Sequence, residues 1–260
     1  MTQGRVIFER NGPVARILFC NPQAHNALTA QMWRELRERC EQVAADPGIR
    51  VAIFRGVGGK AFVSGTDIAG FGDFTSGDDG LAYERGIDEC MAAVDALPVT
   101  AIAVLDGWAV GGGLNIACAC DFRVATPTAR LGSPLGRTIG NCLSMSSYAR
   151  IVSAIGADVA KRMLLLGEML TAPELLQNGF LYRIVEAAEL DVQIDALCER
   201  AAANAPLTTL ATKEALRRWR NANLPNIDDL VARVYGSKDF ALGVRNFLDS
   251  GPKPPNWRGS

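Results

Sequence analysis

The chain has 260 residues, 48% of them hydrophobic and 21% charged, with a formal net charge of −1. That length is enough to bury a sizeable core in one domain or one domain with an appendage, and the near-zero charge gives no footprint for nucleic acid. No apolar run approaches the roughly 18–20 residues of a membrane span, and MTQGRVIFERNGP at the start lacks the apolar stretch of a secretory leader, so the expectation is a cytoplasmic protein with no membrane partner.

RVIFER and VARILFC flank NGP, an Asn-Gly turn signal, and read as two strands of a hairpin. Thr29 caps a predicted helix from Ala30 to about Ala45, on which Met32, Trp33, Leu36, Cys40 and Val43 follow helical spacing. Asp46–Pro47–Gly48 stops it. Val51 to Phe54 is a short apolar strand with charged flanks, the kind covered on both faces in a parallel sheet. A glycine-rich loop, GVGGKAFVSGTDIAGF (56–71), leads to a helix expected from about Gly80 to Leu97, which Pro98 ends. TAIAVLDG (100–107) is the next buried strand, and three glycines, Gly111 to Gly113, open the helix after it. Beyond about Ile184 the spacing predicts helices only, in AAELDVQIDALCERAAANAP, LTTLATKEALRRWRNAN and NIDDLVARVYG. The tail SGPKPPNWRGS is too rich in Pro and Gly for regular structure. Alternating strands and helices, then helices alone, predict an α/β fold with parallel strands and a helical C-terminal part.

The seven cysteines are scattered and read as reduced, buried thiols. Cys118 and Cys120 form C-x-C, but no second pair follows at zinc-like spacing. His25 is the one histidine, too little for a His-based metal site or a Ser-His-Asp triad. Neither a phosphate loop nor a dinucleotide fingerprint fits the glycines. Gly59–Lys60 lacks the earlier glycine (Phe54 stands there) and the following Ser/Thr (Ala61), and Gly111 to Gly113 are contiguous rather than spaced. No G-x-S-x-G elbow occurs. Each glycine loop instead follows a strand and precedes a helix, where free N–H groups favour a negative oxygen. Either loop alone reads as a tight turn; together they form a candidate two-donor oxyanion hole.

KAFVSGTDIAGF with GWAVGGGLNIACACDFRVATPTARLGSP closely resembles the enoyl-CoA hydratase/isomerase (crotonase) superfamily. The resemblance continues in FCNPQAHNALTAQM, LTAPELLQNGFLYRIVE, APLTTLATKEAL and SKDFALGVRNFLDSGPKPPNWRG, and so covers nearly the whole chain. It implies a spiral of βαβ units over residues 1–195, binding acyl-CoA, and a C-terminal helical region over 196–260 used to form a homotrimer or a dimer of trimers. It implies no metal or redox cofactor, only the coenzyme A moiety of the substrate. It assigns the oxyanion donors to the N–H groups of Thr66 and Gly112, and a lost donor of that kind typically costs about 10²–10³ in rate.

In the hydratases of this superfamily two glutamates move the protons; the matching positions here are Asn115 and Leu135. An amide orients water but does not take its proton, and a leucine does neither. Ordinary two-glutamate hydration is therefore not expected, and restoring Glu at both positions is expected to confer it. Other candidates lie in LAYERGIDEC and LGRTIGNCLSMSSYARIV. Glu84 is either the base on a wall of the acyl pocket or a solvent-facing helix charge. Cys142 is either a thiolate of lowered pKa at a helix start or a small buried thiol. Arg137 either pairs with a substrate carboxylate or forms a structural ion pair or a subunit contact. Asn141 and Ser144 read as caps of the following helix, and Asp67 as a loop-holding side chain. For the coenzyme, the resemblance gives His25 a phosphate contact and places Ala61, Val63 and Ile68 along the adenine and pantetheine path. Phe247 and Lys253 resemble positions that reach a neighbouring subunit's nucleotide. A non-catalytic acyl-CoA binder that kept the oxyanion cradle is the competing expectation.

Overall fold

A computed structural model describes residues 4–253 and 255–259. The hairpin forms as expected: β1 (Arg5–Asn11) pairs antiparallel with β2 (Val14–Cys20), Asn11 facing Val14 across the turn. Helix α1 (Ala30–Ala45) is capped by Thr29, whose hydroxyl accepts from Met32 N, and it buries the five apolar residues named by its spacing.

Each later turn of chain then places one strand in each of two sheets before a helix returns it. Strand β3 (Val51–Gly56) is followed by β4 (Ala61–Val63), and α2 (Gly77–Asp95) leads back. Strands β5 (Thr100–Leu105) and β6 (Trp108–Val110) precede α3 (Gly112–Ala119), and β7 (Phe122–Ala125) and β8 (Arg130–Gly132) precede α4 (Leu135–Thr138), α5 (Met145–Ile155) and α6 (Ala157–Leu165). Strand β9 (Leu170–Thr171), α7 (Ala172–Gln177) and β10 (Arg183–Ile184) complete the spiral. The larger sheet has the order β1-β2-β3-β5-β7-β10 and the smaller β4-β6-β8-β9; beyond the hairpin and the β8–β9 pair, the pairing is parallel.

Period-2 alternation explains the apolar runs of β3 and β5. Ala52, Phe54, Ala101, Ala103 and Leu105 face the main core. Val51, Ile53, Ile102 and Val104 face a second layer formed with Leu190, Ile194 and Cys198 of α8 (Leu190–Ala202). The seven cysteines are free thiols. No described helix is long and apolar enough to cross a membrane.

The C-terminal helices differ among themselves. Helix α9 (Pro206–Asn221) buries none of its residues. Helices α10 (Asp228–Tyr235) and α11 (Lys238–Ser250) pack back on the core of the same chain. Two glycines of α2 make room: a Cβ at Gly77 would lie 2.1 Å from the Ala232 carbonyl oxygen, and one at Gly80 would lie 2.1 Å from the Tyr235 ring. A boundary at residue 195 falls inside α8. Helix α2 starts three residues earlier than its apolar spacing suggests because Ser76 and Asp79 form a capping box.

Candidate active site

Two strand-to-helix junctions meet at one cavity of about 410 Å³, lined by both glycine loops and by α2, α4 and α11. The first junction is the loop after β4. Leu28 N–H donates to the Gly65 carbonyl (2.9 Å) and Asp67 N–H to the Leu28 carbonyl (2.8 Å), so the chain before α1 holds both sides of Thr66. Asp67 Oδ1 accepts from Ala69 N (3.0 Å), the loop-holding role expected of it. The second junction is the triple glycine, where each residue has its own reason. Gly111, at φ 53° and ψ −109°, turns the chain out of β6 through a conformation closed to side chains. A Cβ at Gly112 would press on Trp33 at 2.9 Å, and one at Gly113 would meet the Val63 carbonyl oxygen at 2.1 Å. Thr66 and Gly112 both line the cavity, and among the described residues neither backbone N–H donates to a protein acceptor. Gly112 is the first residue of α3, so the positive end of that helix points the same way.

Glu84 also lines this cavity. It is 4% exposed, which removes the solvent-facing alternative. Its carboxylate accepts from Tyr235 Oη at 2.7 Å and from Ser144 N at 2.7 Å. Burial pushes its pKa up to about 7, against the pull of those two hydrogen bonds, with Asp88 adding to the rise. A carboxyl poised there exchanges a proton near neutral pH.

Asn115 touches the cavity too, but its amide is committed. Oδ1 accepts from Arg150 Nη1 (2.9 Å) and Nδ2 donates to Ser147 Oγ (2.9 Å). Arg150 is itself held by Asp95 (2.8 Å), which Arg220 of α9 also reaches (2.7 Å). Leu135 is the first residue of α4 and supplies apolar wall.

Two catalytic candidates from the sequence, Cys142 and Arg137, are corrected. Cys142 is a half-buried thiol rather than a thiolate of lowered pKa: burial, and then Glu84, push it up to about 12, while Ser144 caps α5 as read from the sequence. Arg137 does not reach the cavity; its side chain packs on Gly167, whose added Cβ would lie 2.4 Å from Arg137 Cδ, and Nη1 points to the Gly167 carbonyl. Ala61 and Val63 are buried in β4 at 1% and 0% exposure and do not line this cavity, whereas Ile68 does. His25 lines the cavity as an exposed residue in the left-handed region (φ 50°). Phe247 lines the cavity of its own chain, and Lys253 is exposed just beyond Pro252 at the rim.

Sequence reasoning missed Tyr235, Tyr83 and the indole of Trp33 as polar groups at the site. Tyr235 lies 151 residues from Glu84, beyond any local pattern, and Asn141, read as a cap, donates to Tyr235 Oη instead (3.3 Å). Among the described residues the Asn141 Oδ1 atom is buried without a hydrogen-bond partner. A larger cleft of about 530 Å³ lies elsewhere; its arginines are paired, Arg16 with Asp195 and Arg55 with Asp191, and it holds none of these groups. Among the described residues no three His, Cys, Asp or Glu side chains are placed to hold a metal ion.

Residues 9–258 match the family model described as enoyl-CoA hydratase/isomerase. The chain is 34% identical over 221 residues to the (E)-benzylidenesuccinyl-CoA hydratase of Thauera aromatica, covering 81% of each protein. It is similar to the crystal structure of an enoyl-CoA hydratase/carnithine racemase from Magnetospirillum magneticum (TM-score 0.79, 30% identity, 100% of this chain and 97% of that one). It is also similar to that of a methylmalonyl-CoA decarboxylase complexed with 2S-carboxypropyl-CoA (TM-score 0.89, 25% identity, 100% of both chains).

Proposed function

From the membership of this chain in the enoyl-CoA hydratase/isomerase family, we propose that it is an acyl-CoA enzyme that forms a thioester enolate and moves protons with Glu84. The observation that carries the reading is the placement of two N–H donors without a partner among the described residues, Thr66 and Gly112, and one buried carboxyl, Glu84, on a single apolar cavity. The thioester oxygen takes the two N–H bonds. Glu84, ionised, removes a proton from Cα as negative charge builds on that oxygen, and the prearranged donors and the start of α3 stabilise it as it forms. Glu84, now neutral, returns the proton to carbon or to a leaving group. The family's reaction classes of hydration or dehydration, isomerisation and C–C bond change all pass through such an enolate.

The cavity wall narrows the acyl group. It carries aromatic and aliphatic side chains, Trp33, Phe71, Ile87, Leu135 and Phe247 among them, and no Arg or Lys among the described residues. A second carboxylate on the acyl chain would be buried without a counter-charge. The substrate is therefore an alkyl or aryl acyl thioester, with His25 at the mouth toward the coenzyme A phosphates and Ile68 along the pantetheine arm. Assembly as a homotrimer or a dimer of trimers is supported by α9, where Leu207, Leu216 and Trp219 are each more than half exposed. The competing reading, a non-catalytic acyl-CoA binder, is favoured by the commitment of Asn115 to Arg150 and Ser147.

The test is a time course with short-chain, aromatic and dicarboxylic enoyl-CoAs, followed by mass spectrometry. Conversion of alkyl or aryl members but not of dicarboxylic ones is expected. Binding of the panel with no conversion would favour the binder.

A further inference from the structure

The Thr66 side chain does more than fill space beside its own N–H. Its hydroxyl oxygen accepts two hydrogen bonds, from Trp33 Nε1 at 3.3 Å and from Tyr83 Oη at 3.1 Å. A hydroxyl oxygen has two acceptor positions and one hydrogen to give. With both acceptor positions filled, that hydrogen has no protein acceptor among the described residues. Its position is also fixed. A methyl group built on Gly112 would stand 3.4 Å from Thr66 Oγ1, so the hydroxyl lies against the residue that carries the second N–H donor. Trp33, Tyr83, Thr66 and Gly112 all line the one cavity. Burial raises the pKa of Tyr83 above its ordinary value, which keeps the phenol in its donating form.

We propose that the Thr66 hydroxyl is a third hydrogen-bond donor to the thioester oxygen, aimed by Trp33 and Tyr83 and acting beside the N–H groups of Thr66 and Gly112. The inference rests on the acyl-thioester reading above and deepens it. A serine or threonine is required at position 66 for the third bond, whereas any residue there except proline supplies the backbone N–H. The indole and phenol are positioning groups: by occupying both acceptor sites of the hydroxyl, they leave its hydrogen only the cavity. A donor that strengthens as charge develops on the oxygen contributes more in the transition state than in the ground state.

Benzoyl-CoA labelled with ¹³C at its carbonyl is a suitable probe, because it has neither a Cα proton nor an enoyl bond and does not react. Its carbonyl stretch, read by infrared difference spectroscopy, reports the donors on that oxygen directly. Wild-type protein is expected to lower the stretch relative to the free thioester. Thr66→Ser should keep the full shift, and Thr66→Val, equal in shape but without the hydroxyl, should lose roughly a third of it, one donor in three. Tyr83→Phe keeps the Thr66 hydroxyl but frees one of its two acceptor positions, so its shift should fall between those of Thr66→Ser and Thr66→Val; a full wild-type shift in Tyr83→Phe would overturn the aiming role of the phenol. Equal shifts in wild type and Thr66→Val would overturn the third donor while leaving the two N–H donors standing. So would Tyr83→Phe and Thr66→Ser losing as much as Thr66→Val. No binding or no shift in the wild type would remove the oxyanion reading itself, and this inference with it.

Discussion

Replacing Glu84 by Gln tests the carboxyl through the stability of the protein, independently of any substrate. The side chain is fixed between Ser144 N at the start of α5 and Tyr235 Oη on α10, with Asp88 one turn along its own helix and the Cys142 thiol on the preceding loop. Burial raises its pKa from 4.5 to about 7 in the folded state, while the unfolded chain titrates normally. Below the unfolded value both states are neutral and Glu84 makes its full contribution. As pH rises, the unfolded chain loses its proton first, so stability falls, and the loss is complete once the folded carboxyl has also ionised, above pH 7. At ~1.4 kcal/mol per pH unit the loss attributable to Glu84 is about 3 kcal/mol. Glutamine keeps the shape and cannot ionise, so Glu84→Gln should gain that amount on the wild type between pH 4.5 and pH 8. Guanidinium unfolding at fixed protein concentration, at both pH values, measures it. Parallel pH profiles in the two proteins would mean that Glu84 titrates as an ordinary surface carboxylate, and the reasoning would fail.

Other substitutions follow from the same geometry. Asn115→Glu with Leu135→Glu would place a carboxylate in front of Arg150 Nη1, now 2.9 Å from the Asn115 amide oxygen. Arg150 would hold that carboxylate ionised. The gain in crotonyl-CoA hydration should therefore fall short of the 10²–10⁴ that a working general acid supplies, contrary to the expectation from the sequence; a gain of that size would contradict the clamp. Cys142→Ser and Arg137→Ala should each leave turnover within about twofold, since neither side chain joins the donors and the carboxyl at the cavity, and a loss beyond about tenfold would restore them as candidates. Gly113→Ala forces a Cβ to within 2.1 Å of the Val63 carbonyl. It should cost about 2–3 kcal/mol, seen as a lower Tm, and an unchanged Tm would show that the loop gives way freely.

The sequence carried the spiral's main sheet well because its strands obey simple rules. Strands β3 and β5 are apolar runs covered on both faces, and α1 has five apolar residues at helical spacing with a threonine cap. The smaller sheet was hidden, since β4, β6, β8 and β9 have two or three residues each, too few to show a period. The two glycine loops of the candidate site were legible because glycines mark where backbone must approach a ligand or another carbonyl. The rest of the site was not. Glu84 looks like any helix glutamate until Gly77 and Gly80 let α10 settle over it and bring Tyr235. Arg137 and Cys142 have the right chemistry and lie close in sequence to residues that line the cavity. The turn of α4 sends one toward Gly167, and burial keeps the other protonated. Long-range packing, which local spacing does not encode, decides each of these cases.

In the function proposed above, Glu84 and the donors of Thr66 and Gly112 together remove a proton next to a thioester. Solvent deuterium exchange at Cα of saturated acyl-CoAs, hexanoyl-CoA and 3-phenylpropanoyl-CoA, measures that step directly by mass gain. Wild-type protein should wash label into Cα, and Glu84→Gln should not, although it still binds the thioester. A wild-type protein that binds these thioesters and incorporates no deuterium, or a Glu84→Gln variant that exchanges at the wild-type rate, would contradict the account.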